Sequence, residues 1–171
     1  MKRLFGLVLV SALLVTGCGE SEEEKRFRAE LIDKALNDET RKQGEAFLAE
    51  NAKREGVTSM PSGLQYEIVQ AGNGRSPRIL DTVVVNYEGK RVDDVVFDSS
   101  YQRGKPSEFP VKGVIRGWKE ALPKMKEGSI WNIYLPADLA YGATSPNPSI
   151  PANSALIFKI ELLEVKEPVA E

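Results

Sequence analysis

The pattern of apolar and polar positions divides the chain near Leu64. Beyond it the apolar residues alternate. Leu64-Gln65-Tyr66-Glu67-Ile68-Val69 reads as a strand closed by the turn residues Ala71-Gly72-Asn73-Gly74. Val83, Val85 and Tyr87 alternate with Thr82, Val84 and Asn86. Val95-Val96-Phe97 runs into the polar turn Asp98-Ser99-Ser100, and Phe109-Pro110-Val111 is a further short strand. Ile130 to Leu135 alternates again, and the last strand, Ala155 to Val165, sets Leu156, Phe158, Ile160 and Leu162 against Lys159 and Glu161. One stretch breaks the alternation. Val114-Ile115-Arg116-Gly117-Trp118, bracketed by Gly113 and Gly117, opens a short helical pattern that carries a large flat ring between apolar neighbours. The expectation is an α+β domain over 64–166: an antiparallel sheet of about five strands wrapped on one short helix, with a tail at 167–171.

Before Leu64 the pattern is helical and charged. Between Glu20 and Gly56 there are eleven acidic and eight basic residues and no proline. Glu22-Glu23-Glu24 lie where a helix N-terminus prefers negative charge. Phe27, Leu31 and Ala35 form a narrow apolar stripe with Ile32 and Leu36 beside it, and Asn37-Asp38 is a candidate interruption. A second cluster, Ala46-Phe47-Leu48-Ala49 and Ala52, runs toward Gly56. Residues 18–56 therefore read as a helical arm, either a tether that touches the next domain or a dimerisation arm. Residues 57–63 have the composition of a linker.

At the start, Lys2 and Arg3 precede an apolar run from Leu4 to Val15, the length of a signal peptide and too short to span a bilayer. It ends in Val15-Thr16-Gly17-Cys18, which resembles a bacterial lipobox, so residues 1–17 read as a lipoprotein signal peptide and Cys18 as the lipid attachment site. Gly19 follows where that family's inner-membrane retention signal would have Asp. The expected location is therefore the outer membrane, facing the periplasm.

Composition narrows the chemistry. Over 171 residues the chain is 42% hydrophobic and 28% charged, as globular proteins are, and a net charge of −2 gives no general affinity for nucleic acid. There is no histidine, and Cys18 is the only cysteine. Ser-His-Asp triads, Cys-His pairs and His-ligated metals cannot be built from this chain alone, and no cofactor is expected. Any catalysis works through carboxylates, hydroxyls, backbone amides or shape.

Tyr87-Glu88-Gly89, Phe97-Asp98-Ser99-Ser100, Val114-Ile115-Arg116-Gly117-Trp118, Ala140-Tyr141-Gly142 and Leu156-Ile157-Phe158 follow one another in this order. Each alone is weak, since Tyr87, Phe97 and Phe158 also suit plain core packing and Asp98-Ser99-Ser100 a plain turn. Together, over about residues 61 to 166, they resemble the FKBP-type peptidyl-prolyl cis-trans isomerases. Gly44 to Asn51 and Pro61 to Tyr66 resemble the bacterial subgroup typified by the macrophage infectivity potentiator, in which a helical N-terminal region dimerises the enzyme.

The resemblance implies acceleration of X-Pro bond rotation in exported or envelope proteins, with proline-containing polypeptides as substrates and FK506/rapamycin-type macrolides as inhibitors. It implies that Trp118 is the floor beneath the proline ring, with Tyr87, Phe97, Val114, Ile115 and Phe158 as walls. The Ile115 backbone N–H and the Tyr141 phenol would meet substrate carbonyls, Asp98 would offer a carboxylate, and Ile150, in the Thr144–Pro151 loop, would be a rim contact. One departure stands out. Ser107, after Lys105-Pro106, occupies a position where small relatives carry a pocket phenylalanine. It is the one support for the alternative, a non-catalytic proline-peptide binding module or holdase.

Overall fold

The computed structural model describes residues 21–36 and 38–168. Cys18 and the leader before it lie outside the described residues. Two helices come first, α1 (Glu22–Leu36) and α2 (Glu39–Asn51). Seven strands follow: β1 (Val57–Ser59), β2 (Gln65–Gln70), β3 (Thr82–Arg91), β4 (Val96–Ser99), β5 (Ser107–Pro110), β6 (Ile130–Leu135) and β7 (Leu156–Lys166). Between β5 and β6 lies the short helix α3 (Arg116–Ala121). The sheet is antiparallel in the order β1-β2-β6-β7-β3-β4, with β5 also paired to β3. The expected class holds, with seven strands in place of about five. The strand with no counterpart in the apolar pattern is β1, three residues long and too short to show an alternation of its own.

Period-two burial explains the long strands. Val83, Val85 and Tyr87 of β3 face inward with Ile133 and Leu135 of β6 and Phe158, Ile160 and Leu162 of β7. Register shifts between Val84 and Val85, where the partner steps from Glu164 to Leu162. Leu163 is the extra residue of this bulge. It turns outward, and Val165 returns to the core. Helix α3 lies against the inner face, and Gly117 makes that approach possible: a Cβ there would sit 2.3 Å from Leu135 Cδ2.

The N-terminal arm divides at Asp38, whose carboxylate accepts from Thr40 N at 2.7 Å and caps α2. In α1, Phe27 and Leu31 are exposed. Helix α2 docks on the outer face of the sheet, where Leu48 packs with Tyr134, Ala155 and Ile157, and a Cβ on Gly44 would lie 2.7 Å from Ala155 Cβ. Its C-terminal end is tied down by Asn51, which donates to Gln65 Oε1 at 2.8 Å, and by Gln65, which donates to Leu48 O at 2.9 Å. The stretch read as a linker contains β1, paired to β2 through Val57↔Glu67, Thr58↔Tyr66 and Ser59↔Gln65. Its few polar residues hide the strand, because the backbone ladder rather than side-chain burial holds it.

Candidate active site

The inner face of the sheet and α3 enclose a cleft of about 310 Å³. Trp118 forms its floor and is 4% exposed. Three rings meet the indole edge-on: Tyr87 at 5.5 Å and 87°, Phe109 at 5.8 Å and 86°, and Phe158 at 5.4 Å and 88°. Phe97 leans on Phe158 at 5.7 Å and 82°. Such T-shaped pairs match ring edges to ring faces and each contributes about 0.5–1.5 kcal/mol beyond area burial. The Trp118 Nε1–H is buried with no hydrogen-bond partner among the described residues. Phe97 and Phe158 can approach each other because position 89 is glycine: a Cβ there would lie 2.7 Å from the Phe97 ring and 2.8 Å from that of Phe158.

Val114 and Ile115 close one side. Ile115 is the N-cap residue of α3, with φ −60° and ψ 157° and no side-chain cap. A residue in this position leaves the first helical N–H groups open. Tyr141 stands at the rim, 37% exposed. Burial first, then the Asp98 charge, pushes its phenol above the usual tyrosine range, with no hydrogen bond among the causes.

Asp98 is the one carboxylate in the lining. The Tyr87 hydroxyl donates to its Oδ2, and Arg103 Nη1 pairs with its Oδ1. Arg103 Nη2 also donates to the Tyr87 oxygen at 3.0 Å and to Ser107 Oγ at 3.1 Å, and its guanidinium lies 5.4 Å from the Tyr87 ring centroid. Burial, and after it the bond to Asp98, raises the Tyr87 phenol pKa, which Arg103 opposes. Of the two phenols, Tyr87 is therefore committed to Asp98, while Tyr141 is available to a ligand.

Tyr87, Phe97, Asp98, Val114, Ile115, Trp118, Tyr141 and Phe158 thus converge on one cleft. Ile150 does not. It is 2% exposed in the main core, because the Thr144–Pro151 loop folds back on itself: Ser145 Oγ donates to Asn147 O and Ile150 O, both at 2.8 Å. Two residues that the sequence reading passed over belong to the site. Phe109 supplies the wall that Ser107 lacks, since alternation along β5 puts both on the same side of the strand. Arg103 holds Asp98 from a turn whose side-chain direction no periodicity reveals.

An apolar, ring-lined cleft with a single braced carboxylate and no nucleophile, set between a short helix and an antiparallel sheet, defines a class of proteins that bind a hydrophobic group by shape. Comparison with known proteins makes the class specific. Residues 73–163 match the family model described as FKBP-type peptidyl-prolyl cis-trans isomerase, and residues 16–68 match the domain amino-terminal to it. The chain belongs to the FKBP-type peptidyl-prolyl cis-trans isomerase family. It is 52% identical over 122 residues to the peptidyl-prolyl cis-trans isomerase Mip of Coxiella burnetii, covering 71% of this chain and 53% of that one. It is 48% identical to the outer membrane protein MIP of Legionella longbeachae over 130 residues, 76% of this chain and 56% of that one. The crystal structure of FkpA from Escherichia coli superposes with a TM-score of 0.74 at 38% identity, covering 86% of this chain and 74% of that one. The chain spans roughly half to three-fifths of the length of the first curated relatives it matches.

Proposed function

We propose that this chain is a peptidyl-prolyl cis-trans isomerase that accelerates X-Pro bond rotation in proteins of the cell envelope. The observation that carries the reading is the closed set of rings around Trp118 with Asp98 braced at its edge. Conjugation puts a barrier of about 18–20 kcal/mol on rotation about a peptide bond, and unaided X-Pro exchange takes tens to hundreds of seconds. In the twisted transition state the nitrogen lone pair leaves the carbonyl, the amide dipole falls, and water is needed less. An apolar cleft therefore favours the twisted form over the planar one. No proton transfer or covalent bond is required.

In this reading the proline ring rests on Trp118 between Phe97, Phe109, Val114 and Phe158. The Ile115 N–H and the Tyr141 phenol hold carbonyls on either side of the twisting bond. Asp98, with an oxygen on each of Tyr87 and Arg103, fixes the polar edge of the cleft. Residues 64–166 carry this chemistry. A protease-coupled proline-peptide assay tests it: acceleration over the thermal rate supports isomerisation, and binding without acceleration supports the non-catalytic module instead. Phe109, in filling the wall that Ser107 leaves open, removes the reason to prefer that module.

The lipid anchor at Cys18, with residues 1–17 as its signal peptide, and an envelope location belong to the same proposal. The lipobox-like sequence supports it, as does the likeness to a protein named for the outer membrane. No helix among the described residues is long and apolar enough to cross a membrane. Cys18→Ser should move the protein out of the membrane fraction. The exposed Phe27 and Leu31 of α1 support dimerisation through the arm, which sedimentation of the mature form decides. FK506-type macrolides, which present a rigid apolar ring, are the proposed inhibitors.

A further inference from the structure

Helix α2 lies outside the residues matched by the isomerase model, yet it reaches the segments that frame the cleft rim. Arg41, in its first turn, is 19% exposed, and Nη2 donates to Asp138 Oδ1 at 3.0 Å and to Asn153 Oδ1 at 3.5 Å. Both acceptors lie in segments that bond to the backbone neighbours of Tyr141. Asp138 is the middle residue of the single turn Ala137–Leu139, and Ala137 O accepts from Ala140 N and from Gly142 N, both at 2.9 Å. Asn153, 4% exposed and held at φ 60°, donates its backbone N–H to Gly142 O at 2.7 Å. Its side chain donates in turn to Asp38, the cap of α2, at 3.4 Å. The residues on either side of Tyr141 are therefore held by two segments, and one guanidinium grips both. Asp138 O also accepts from Arg116 Nη1, at the head of the helix that carries Trp118, at 3.3 Å.

We infer that Arg41 is a positioning residue for Tyr141: through Asp138 and Asn153, helix α2 fixes where the rim phenol stands over the Trp118 floor. Both bonds leave Nη2, while Nη1 pairs with Glu45 Oε1 at 3.7 Å, so the planar guanidinium is oriented by its own helix as it reaches the two acceptors. Its Nε is buried with no hydrogen-bond partner among the described residues, so Nη1 and Nη2 carry the polar contacts of the side chain. The helix is thus part of the machinery that shapes the cleft, beyond any role in tethering or dimerisation. This inference rests on the isomerase reading for its effect on rate, but not for its effect on structure.

The test uses the full mature chain and the variants Arg41→Ala, Arg41→Lys, Tyr141→Phe and the double variant, with Lys42→Ala as a control one residue along the same helix. Arg41→Ala should lower kcat/KM about three- to tenfold, the consequence of losing one well-placed hydrogen bond to substrate. In the Tyr141→Phe background the same change should cost less than about twofold, because residues acting through one group are not additive. Arg41→Lys should recover part of the rate, and Lys42→Ala should match wild type. Amide exchange is read in parallel. Arg41→Ala should speed exchange at Gly142 and Asn153 and leave β3 unchanged. Equal losses in both backgrounds, or unchanged exchange at Gly142 and Asn153, would overturn the inference. If the wild-type chain shows no isomerisation, the functional reading falls on that result, and the exchange measurement still decides whether Arg41 positions the rim.

Discussion

The sheet presents a cavity on each face, and the two are nearly the same size: about 310 Å³ over Trp118 and about 320 Å³ on the outer face beside α2. Their chemistry differs. The outer groove has an apolar floor of Phe47, Tyr134 and Ile157, but most of its charges are satisfied at home. Lys90 pairs with Asp94 at 2.6 Å, Arg54 reaches Glu67 at 3.3 Å and the Tyr134 oxygen at 3.0 Å, and Lys159 lies over the Tyr101 ring. A ligand entering there would have to break these contacts. The inner cleft keeps its ion pair at the edge and leaves the Tyr141 phenol and the Trp118 N–H without hydrogen-bond partners among the described residues. Volume does not distinguish a site from a groove. What distinguishes it is which polar groups are left to a ligand, and how rigidly the apolar walls are held.

Substitutions on the two faces should therefore have very different effects. Removing the floor has the largest. Trp118→Ala, a deletion of a buried aromatic against three rings, should lower stability by about 3–5 kcal/mol and abolish the rate. Trp118→Phe separates the two effects, keeping most of the stability and losing rate, as denaturant melts and the peptide assay will show. Next comes Gly89→Ala. Its Cβ would push on Phe97 and Phe158, and the overpacking should cost about 1–3 kcal/mol and reduce turnover in the same assays. Asp98→Ala should spare the fold, since the side chain is 40% exposed, but lower kcat/KM about tenfold by freeing Tyr87 and Arg103, a loss on the scale of one charge-assisted hydrogen bond.

The outer face should respond weakly. Lys90→Ala removes an exposed pair and should shift stability by no more than about 1 kcal/mol, with an unchanged rate. The smallest effect appears only in alkali. Burial, and then Glu161, pushes the Tyr101 phenol up to about 12. A phenol whose folded pKa lies above its unfolded value of 10 favours folding while it is protonated. Its contribution is full below pH 10 and is lost as pH rises toward 12. Tyr101→Phe should remove that part of the alkaline decline in a pH series of melts, leaving the rate at neutral pH untouched.

The same contrast explains what could be read from the sequence. The inner face was legible because its residues obey two rules at once. Val83, Val85, Tyr87, Phe158, Ile160 and Leu162 alternate as strand residues, and the glycines at 113 and 117 mark the turn that carries Trp118. The outer face obeys neither rule. The apolar part of the α2 contact is little more than Gly44, Phe47 and Leu48, its polar ties run through Arg41 and Asn51, and most of its other residues are solvated, so its pattern reads as an arm. At the site itself, the misses came from loops and very short strands. Ile150 lies in a proline-rich loop whose hydrogen bonds to Ser145 turn it inward, and no periodicity carries that information. Ser107 suggested a lowered wall, and only the pairing of Val83 with Phe109 and Val85 with Ser107 shows that a ring two residues on stands beside it. Arg103 acts across five residues of turn, through a side chain whose direction the backbone sets.

The central claim is that the ring-lined inner cleft, and not the groove opposite, lowers the barrier to X-Pro rotation. Magnetisation-exchange NMR on a short X-Pro peptide, with the wild type, Trp118→Phe and Lys90→Ala at equal micromolar concentrations, tests it most directly. The account predicts cis-trans exchange far faster than the unaided tens to hundreds of seconds for wild type and Lys90→Ala, and a large loss for Trp118→Phe. Exchange at the unaided rate with wild type, or equal acceleration by Trp118→Phe, would contradict it.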